Sequence, residues 1–312
     1  RLLSKIKKIA GNIDIIQACN PPDLIYLVVK PFLSKSCKFI FDHHDINPEL
    51  YIAKFGRKDF FYRLMLYFER QTFKYASTVI STNESYKRIA LERGKKKEND
   101  VFVVRSGPKL DRLQLLPPDE HYRKDCDIIL GYVGVIGQQE GIDHLLQAMN
   151  VITQKHSFTS IHLYICGSGP VLNEMKSMCN DLLLNKFVTF TGRVSDEVLM
   201  KILNSTDICI NSDTYNEMND KSTMNKIMEY MALKKPIVQY QLTEGKYSAG
   251  IASLYAENNN PSDMADKIMF LVNNPDKRKS MGEFGYNRVT TELHWGIESK
   301  KYLAAIKHTL TL

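Results

Sequence analysis

Short apolar runs rich in β-branched and aromatic residues alternate along this chain with longer stretches whose apolar residues recur every three or four positions. The short runs predict strands at 13–18, 38–41, 78–81, 101–104, 128–133, 162–166, 188–191, 208–210 and 236–240. The longer stretches predict helices at 60–75, 84–93, 143–154, 171–183 and 196–204. Regular β-then-α alternation predicts an α/β chain with parallel sheets covered by helices on both faces. The rhythm breaks at LLPPDEHYRKDCD (115–127), where a Pro-Pro pair and polar residues predict a linker. At 312 residues the chain exceeds what one core commonly supports, so two domains are expected around that linker. Only about four strands precede it, after a basic helix-like opening, so the first domain is expected to be incomplete, with an earlier β–α unit lying outside the sequence.

Composition narrows the class. With 44% hydrophobic and 25% charged residues the chain reads as an ordinary globular protein. The apolar run LIYLVV (24–29) falls far short of the ~20 residues of a membrane span, and RLLSKIKKIAGN has no apolar signal-peptide region. The six cysteines lack a C-x-x-C pair and several sit inside apolar runs, so they are expected to be reduced core residues of a cytoplasmic protein. The net charge of +7 is concentrated: between Lys54 and Lys97 twelve Lys/Arg stand against four Asp/Glu. That stretch also holds FFYRLMLYFERQTFKY (60–75). Either it rests on anionic lipid headgroups, which would make the protein peripheral on the inner face of the cell membrane, or it is a core helix with a solvated basic face. No nucleic-acid-binding motif appears, and nucleic acid is not expected as a partner.

Ligands of open α/β sheets bind beyond the carboxyl ends of the strands, and three such ends carry candidate chemistry. In FIFDHHD (39–45) a buried-type strand runs into His43 and His44. Neighbouring strand residues point to opposite faces, so the two histidines are not expected to share a metal ion. One of them, facing the ligand, could position or deprotonate a hydroxyl, since imidazole titrates near neutrality. In GYVGVIGQQEGIDHLLQAM (131–149), Gly134 and Gly137 would let the backbone approach a phosphate before a helix N-terminus. The spacing is not the G-x-G-x-x-G dinucleotide fingerprint. In NDKSTMNKIMEYMALKKPIV (219–238), Met224, Ile227, Met228 and Met231 predict the buried stripe of a helix. Lys221, Asn225 and Glu229 would share its polar edge, and Ser222 or Thr223 would cap it, leaving free N–H groups at its start. Glu229 could then accept hydrogen bonds from a ribose diol, although a salt-bridged solvent edge has the same spacing.

The runs FTGRVSDEVLMKILNSTDICINSD (190–213) and MEYMALKKPIV (228–238), with the GYVGVIGQQEGID and ICGSGP turns, strongly resemble the donor domain of glycosyltransferase family 4. FDHHDINPELY (41–51), VFVVRSGP (101–108), ASLYAENN (252–259) and Trp295 extend the likeness over essentially the whole chain, and it is closest to a bacterial branch associated with surface polysaccharides. The resemblance implies a GT-B fold, two Rossmann-like domains facing across a cleft: residues 1–117 on the acceptor side, 118–293 on the donor side, and a tail at 294–312 crossing back to the first domain. It implies retaining transfer, without metal or other cofactor, from a nucleotide-diphospho-sugar to a glycan or lipid-linked saccharide. A nucleotide-sugar 2-epimerase of the same fold, or a non-catalytic nucleotide-sugar-binding protein, are the alternatives.

By position, His44 matches the family histidine near the reacting sugar. Glu229 matches the second glutamate of E-x7-E, and Arg193 borders the nucleobase. Lys221 stands where the first glutamate would be, while Val135 and Glu140 replace the arginine and lysine of the diphosphate site. Lys221, with the N–H groups of Ser222, Thr223 and Met224, is therefore expected to replace the missing cations, and Lys226 is a weaker candidate.

Overall fold

Residues 2–312 are described by a computed structural model. They form two units: one runs up to Ser106 and takes in Trp295–Leu312, and the other is Gly107–His294. Among the described residues no helix is long and apolar enough to cross a membrane.

The first unit is built on four parallel strands, β1 (Ile15–Cys19), β2 (Lys38–His43), β3 (Thr78–Ser81) and β4 (Val101–Val103), in the order β1-β2-β3-β4. Phe39, Ile40 and Phe41 are consecutive and all buried, as a strand covered on both faces requires. On one face Ile40, Ile80 and Val104 pack with Ala305, Tyr302 and Ile306 of the helix Trp295–Thr311. On the other, Phe41 meets Phe73 edge-on at 5.2 Å. Phe73 belongs to the helix Phe60–Tyr75, whose start is capped by Asp59 accepting from the amides of Phe61 and Tyr62.

The second unit carries six parallel strands in the order β10-β9-β8-β5-β6-β7. They are β5 (Ile128–Val133), β6 (Ile161–Cys166), β7 (Val188–Gly192), β8 (Ile208–Asn211), β9 (Ile237–Tyr240) and β10 (Ser253–Ala256). All six residues of β6 are buried, and Leu130, Leu163, Ile165 and Val238 join Leu145 and Met149 of the helix Ile142–Asn150 in one core cluster. The cysteines are free: Cys37, Cys166, Cys179 and Cys209 are buried, whereas Cys19 is exposed and Cys126 half-buried.

Three expectations need correction. The division falls at Ser106/Gly107, so the stretch 107–117 belongs to the second unit. There Leu110 and Leu113 pack on the core of Ile227, Met228 and Met231, and the Leu116 amide donates to Asn204 Oδ1 at 2.9 Å. The helix expected from 222 is two helices, Glu217–Lys221 and Asn225–Ala232, with an extended Ser222 between them. Met224 holds the second cap position with no side-chain cap, and Ser222 Oγ instead donates back to the Met218 carbonyl at 2.7 Å. Lys221 therefore shares no helix with Asn225 and Glu229. Third, 143–154 is not one uniform helix, because Val151–Lys155 widens into a π turn in which Thr153 Oγ1 donates to the Met149 carbonyl at 3.0 Å.

The first unit contains an ion cluster set mostly out of water. Arg93 Nη1 lies 2.7 Å from Glu49 Oε1, and its Nη2 donates to Glu69 Oε1 at 2.6 Å, with both carboxylates buried. It joins the helices Asn47–Phe55 and Phe60–Tyr75 to the residue that ends Glu84–Glu92. Removing one partner from such a cluster leaves uncompensated buried charge. Arg93→Met is expected to destabilise the chain by about 3–5 kcal/mol in urea unfolding. A change under ~1 kcal/mol, the size found for exposed pairs, would show that the cluster does not hold the helices.

Candidate active site

In the second unit β5, β6 and β7 end side by side, and the turns that follow them enclose a pocket of about 440 Å³. The turns are stitched together: Gly134 donates its amide to the Cys166 carbonyl at 3.1 Å, and Gly167 donates to Gly192 at 3.0 Å. Gly134 and Gly167 have φ of 155° and 150°, and a Cβ on Gly167 would run into the Gly134 carbonyl oxygen. Side chains at this crossing would push the turns apart and fill the pocket floor. Arg193 stands on the rim, exposed, with no hydrogen bond or ion pair to any described residue.

The helix Asn225–Ala232 is fixed to β5 through Tyr230, whose Oη accepts the Val133 amide at 2.9 Å and donates to the Ile210 carbonyl at 3.3 Å. That anchor places Glu229. Its half-buried carboxylate makes no hydrogen bond or ion pair among the described residues. Burial raises its pKa, Arg112 and Lys226 pull it back, and Asp196, which lines the pocket, pushes it up. Arg112 is itself paired with Asp196 at 3.1 Å.

The glycine turn does not offer its amides in the expected way. The Glu140 carboxylate folds back over Gly137, where a Cβ would lie 2.5 Å from Oε2. Val135 is exposed and carries no charge. The cation nearest the turn is Lys226, the weaker candidate from sequence. Its Nζ lies 3.0 Å from Asp213 Oδ2, 4.6 Å over the Tyr132 ring, and 3.5 Å from where a Cβ on Gly134 would be. Lys221 is instead ion-paired with Glu217 at 2.6 Å, and the Ser222 amide donates to the Asn219 carbonyl at 3.2 Å. Lys221, Ser222, Thr223 and Met224 thus do not form the expected helix-start cradle. Sequence reading passed over Asp213, which follows the end of β8 by two residues and holds Lys226 in its charged form.

In the first unit the alternation of the strand decides between the histidines. His43 is 0% exposed, packed against Phe41, Phe73 and Tyr86, and burial pushes its pKa down to about 3. His44, just past β2, has a side chain 44% exposed with Nε2 3.2 Å from Asp42 Oδ1. Asp42 in turn accepts from Gln17 Nε2 at 2.9 Å, and Gln17 Oε1 accepts from the Tyr302 hydroxyl at 2.6 Å. Asn20 Oδ1 fixes the backbone here, accepting the amides of His44 at 2.8 Å and Asp45 at 3.1 Å. The spacing Asp42-x-His44 carried a signal that was not drawn out, since a period of two places both on one face. Gln17 and Tyr302, distant in sequence, carried none. Among the described residues no three His, Cys, Asp or Glu side chains are placed to hold a metal ion.

Residues 118–288 match the family described as "Glycosyl transferases group 1". This chain belongs to that family. Its pocket at the β5–β7 turns lies wholly inside the matched segment. The chain is 24% identical over 234 residues to an uncharacterized glycosyltransferase of Methanocaldococcus jannaschii, a match covering 74% of this chain and 58% of that protein. It is 25% identical to the capsular polysaccharide biosynthesis glycosyltransferase CapM of Staphylococcus aureus, over 74% of this chain and 62% of CapM. The chain thus spans about three-fifths of the length of these two relatives. Among solved structures, Anabaena HepE in complex with UDP superposes with a TM-score of 0.80 at 14% identity, covering 98% of this chain and 82% of HepE. A TarM variant of S. aureus, in complex with Fondaparinux, alpha-GlcNAc-glycerol and UDP, gives 0.76 at 18% identity, covering 97% of this chain and 57% of TarM. These likenesses show the fold, which is GT-B.

The Asp42–His44 pair makes a prediction in pH. The hydrogen bond that His44 donates to Asp42 raises the pKa of His44, burial opposes it, and the charges of Asp42 and Asp45 add to the rise. A histidine raised on folding contributes stability that is complete below its unfolded pKa and lost as pH rises through its folded one. Nuclear magnetic resonance should therefore find His44 titrating above the ordinary imidazole value, and Asp42→Asn should move it down. An unmoved midpoint would dissolve the pair.

Proposed function

We propose that this chain carries the donor-binding and reacting groups of a glycosyltransferase that moves a sugar from a nucleotide-diphospho-sugar to a hydroxyl of a glycan or lipid-linked saccharide. The observation that carries this reading is the second unit's pocket. Three glycine-bearing turns at adjacent strand ends leave backbone exposed to a ligand, an unpaired guanidinium stands on the rim, and an unpaired carboxylate sits on the helix anchored behind it. A carboxylate accepts both hydroxyls of a ribose, and the turns admit a diphosphate at close range. That two structural neighbours were solved with UDP supports a nucleotide as the pocket's occupant.

In this reading Glu229 holds the ribose, Arg193 borders the base, and the turn at Gly134 approaches the diphosphate, while Gly137, expected to share that role, is covered by the Glu140 carboxylate. Lys226 supplies the nearest positive charge, in place of the expected Lys221, while Asn225 lies at the uncapped start of its helix. His44, kept basic and oriented by Asp42, acts at the reacting hydroxyl, and retention of configuration follows the resemblance. CapM's part in capsular polysaccharide synthesis supports a polysaccharide role. The basic stretch between Lys54 and Lys97 fits a protein peripheral on the inner, cytoplasmic face of a membrane of anionic lipids.

Two substitutions separate binding from chemistry. A hydrogen bond to a charged group is worth about 1.5–3 kcal/mol, so Glu229→Gln should weaken uridine and UDP alike by roughly tenfold or more in calorimetry. A loss confined to UDP would move Glu229 from ribose to phosphate. His44→Ala should lower kcat far more than donor affinity; unchanged kcat would take His44 out of the reaction.

A further inference from the structure

We propose that Glu140 serves the diphosphate as an acid: it takes a proton from solvent as the nucleotide enters, and offers a hydrogen bond in place of a second negative charge. The role rests on the nucleotide reading above and deepens it.

The family resemblance puts a lysine where this chain has Glu140, so the turn carries the wrong sign for a phosphate site. The backbone of the turn is not free to swing that charge away. It is pinned to the segment after β8, where Ser212 Oγ donates to the Glu140 carbonyl at 2.8 Å. The Thr214 amide and Asn219 Nδ2 donate to the Gln139 carbonyl at 3.1 and 2.9 Å. Gly141 follows with a φ of 62°, and a Cβ there would strike the Ser212 carbonyl oxygen. From this fixed base the Glu140 carboxylate lies over Gly137. Its Oε2 is buried and has no hydrogen-bond partner among the described residues.

Three titratable groups face it from the elements around the turn: Tyr132 of β5, Asp213 beyond β8, and Lys226 of the helix Asn225–Ala232. Tyr132 is neutral, since burial pushes its pKa up to about 12. Lys226 Nζ lies 3.0 Å from Asp213 Oδ2, and both side chains are nearly out of water. The cluster thus sets two carboxylates against one ammonium. That ammonium is also the one beside the Gly134 turn, 3.5 Å from where a Cβ on Gly134 would be. A diphosphate drawn to it brings more negative charge and more hydrogen-bond acceptors. Acids crowded together away from water do not all stay ionised, and one of them keeps a proton.

Glu140 is the group suited to hold it. Asp213 has the ammonium against Oδ2, which favours its charge, whereas Glu140 Oε2 accepts from nothing. Burial already raises the Glu140 pKa and Asp213 adds to the rise, while Lys226 and the amides of Glu140 and Gly137 oppose it. A phosphate on Lys226 cancels part of that opposition and adds its own repulsion. Protonated, the carboxyl turns from one acceptor among many into a donor. A nucleoside without phosphates makes no such demand.

Proton uptake distinguishes this acid from a carboxylate that swings aside still ionised. The test is calorimetry of UDP and of uridine in Tris and in HEPES, buffers with different heats of ionisation. It is run at about pH 7.5, where a terminal phosphate has lost its second proton. The expected result is that UDP draws up to about one proton per nucleotide from the buffer, and that uridine draws none. Glu140→Gln, which keeps the shape without the charge, should take up no proton, bind UDP severalfold more tightly at this pH and bind uridine as before. UDP bound by the unaltered chain without proton uptake would overturn the acid and leave the nucleotide reading standing. So would uptake of the same size in Glu140→Gln, which would put the proton on Asp213 or on the phosphate. No binding of UDP by the folded protein would remove the nucleotide reading and the acid together.

Discussion

In a sheet whose strands all run one way, every strand releases the chain at the same edge, and the turns there must find room beside each other. The contact between the Gly134 and Gly167 turns is where this constraint is tightest. The two amide-to-carbonyl bonds that join Gly134 to Cys166 and Gly167 to Gly192 continue the sheet's own pairing past its end. They work only while neither glycine carries a side chain. The pocket, the rim position of Arg193 and the approach to Glu229 all follow from keeping those turns this close.

The same edge logic operates in the first unit with different chemistry. There β2 ends in two histidines whose surroundings separate them completely. His43 turns into an aromatic core where its charged form cannot survive, and His44 turns outward to a carboxylate that favours its charged form. Buried charge with partners holds elements together elsewhere, as in Arg93 with Glu49 and Glu69, and in Lys226 with Asp213. Each of those groups joins elements that are far apart in sequence, so each orders the site around it at the cost of needing all its members.

Much of this was legible in the residues. The strands β1 to β9 follow from their apolar runs, most clearly β6, whose six residues are all buried, and less sharply β1, where Gln17 interrupts the run. Only β10 escaped, a four-residue strand, Ser253–Ala256, that begins with a polar residue. Alternation set His43 and His44 on opposite faces, and the family resemblance, not the alternation, singled out His44, which is the exposed one. What the sequence could not show was tertiary. Met224 to Met231 carried the right helical period, but the period says nothing of the break at Ser222 that separates Lys221 from Glu229. A Pro-Pro pair suggested a linker, yet Leu110, Leu113 and Leu116 tie the preceding stretch to the second unit. Spacing marked Lys226 as lying on another helix face, and it could not reveal that Tyr132 and Asp213 wait there.

The central claim is that the pocket over β5, β6 and β7 receives a nucleoside diphosphate. The most direct test is a crystal structure of this chain grown with saturating UDP. The account predicts density for the nucleotide in the pocket, with the ribose hydroxyls on Glu229 and the phosphates against the Gly134 turn. Nucleotide bound elsewhere, or a pocket that stays closed to UDP while the protein is folded, would contradict it.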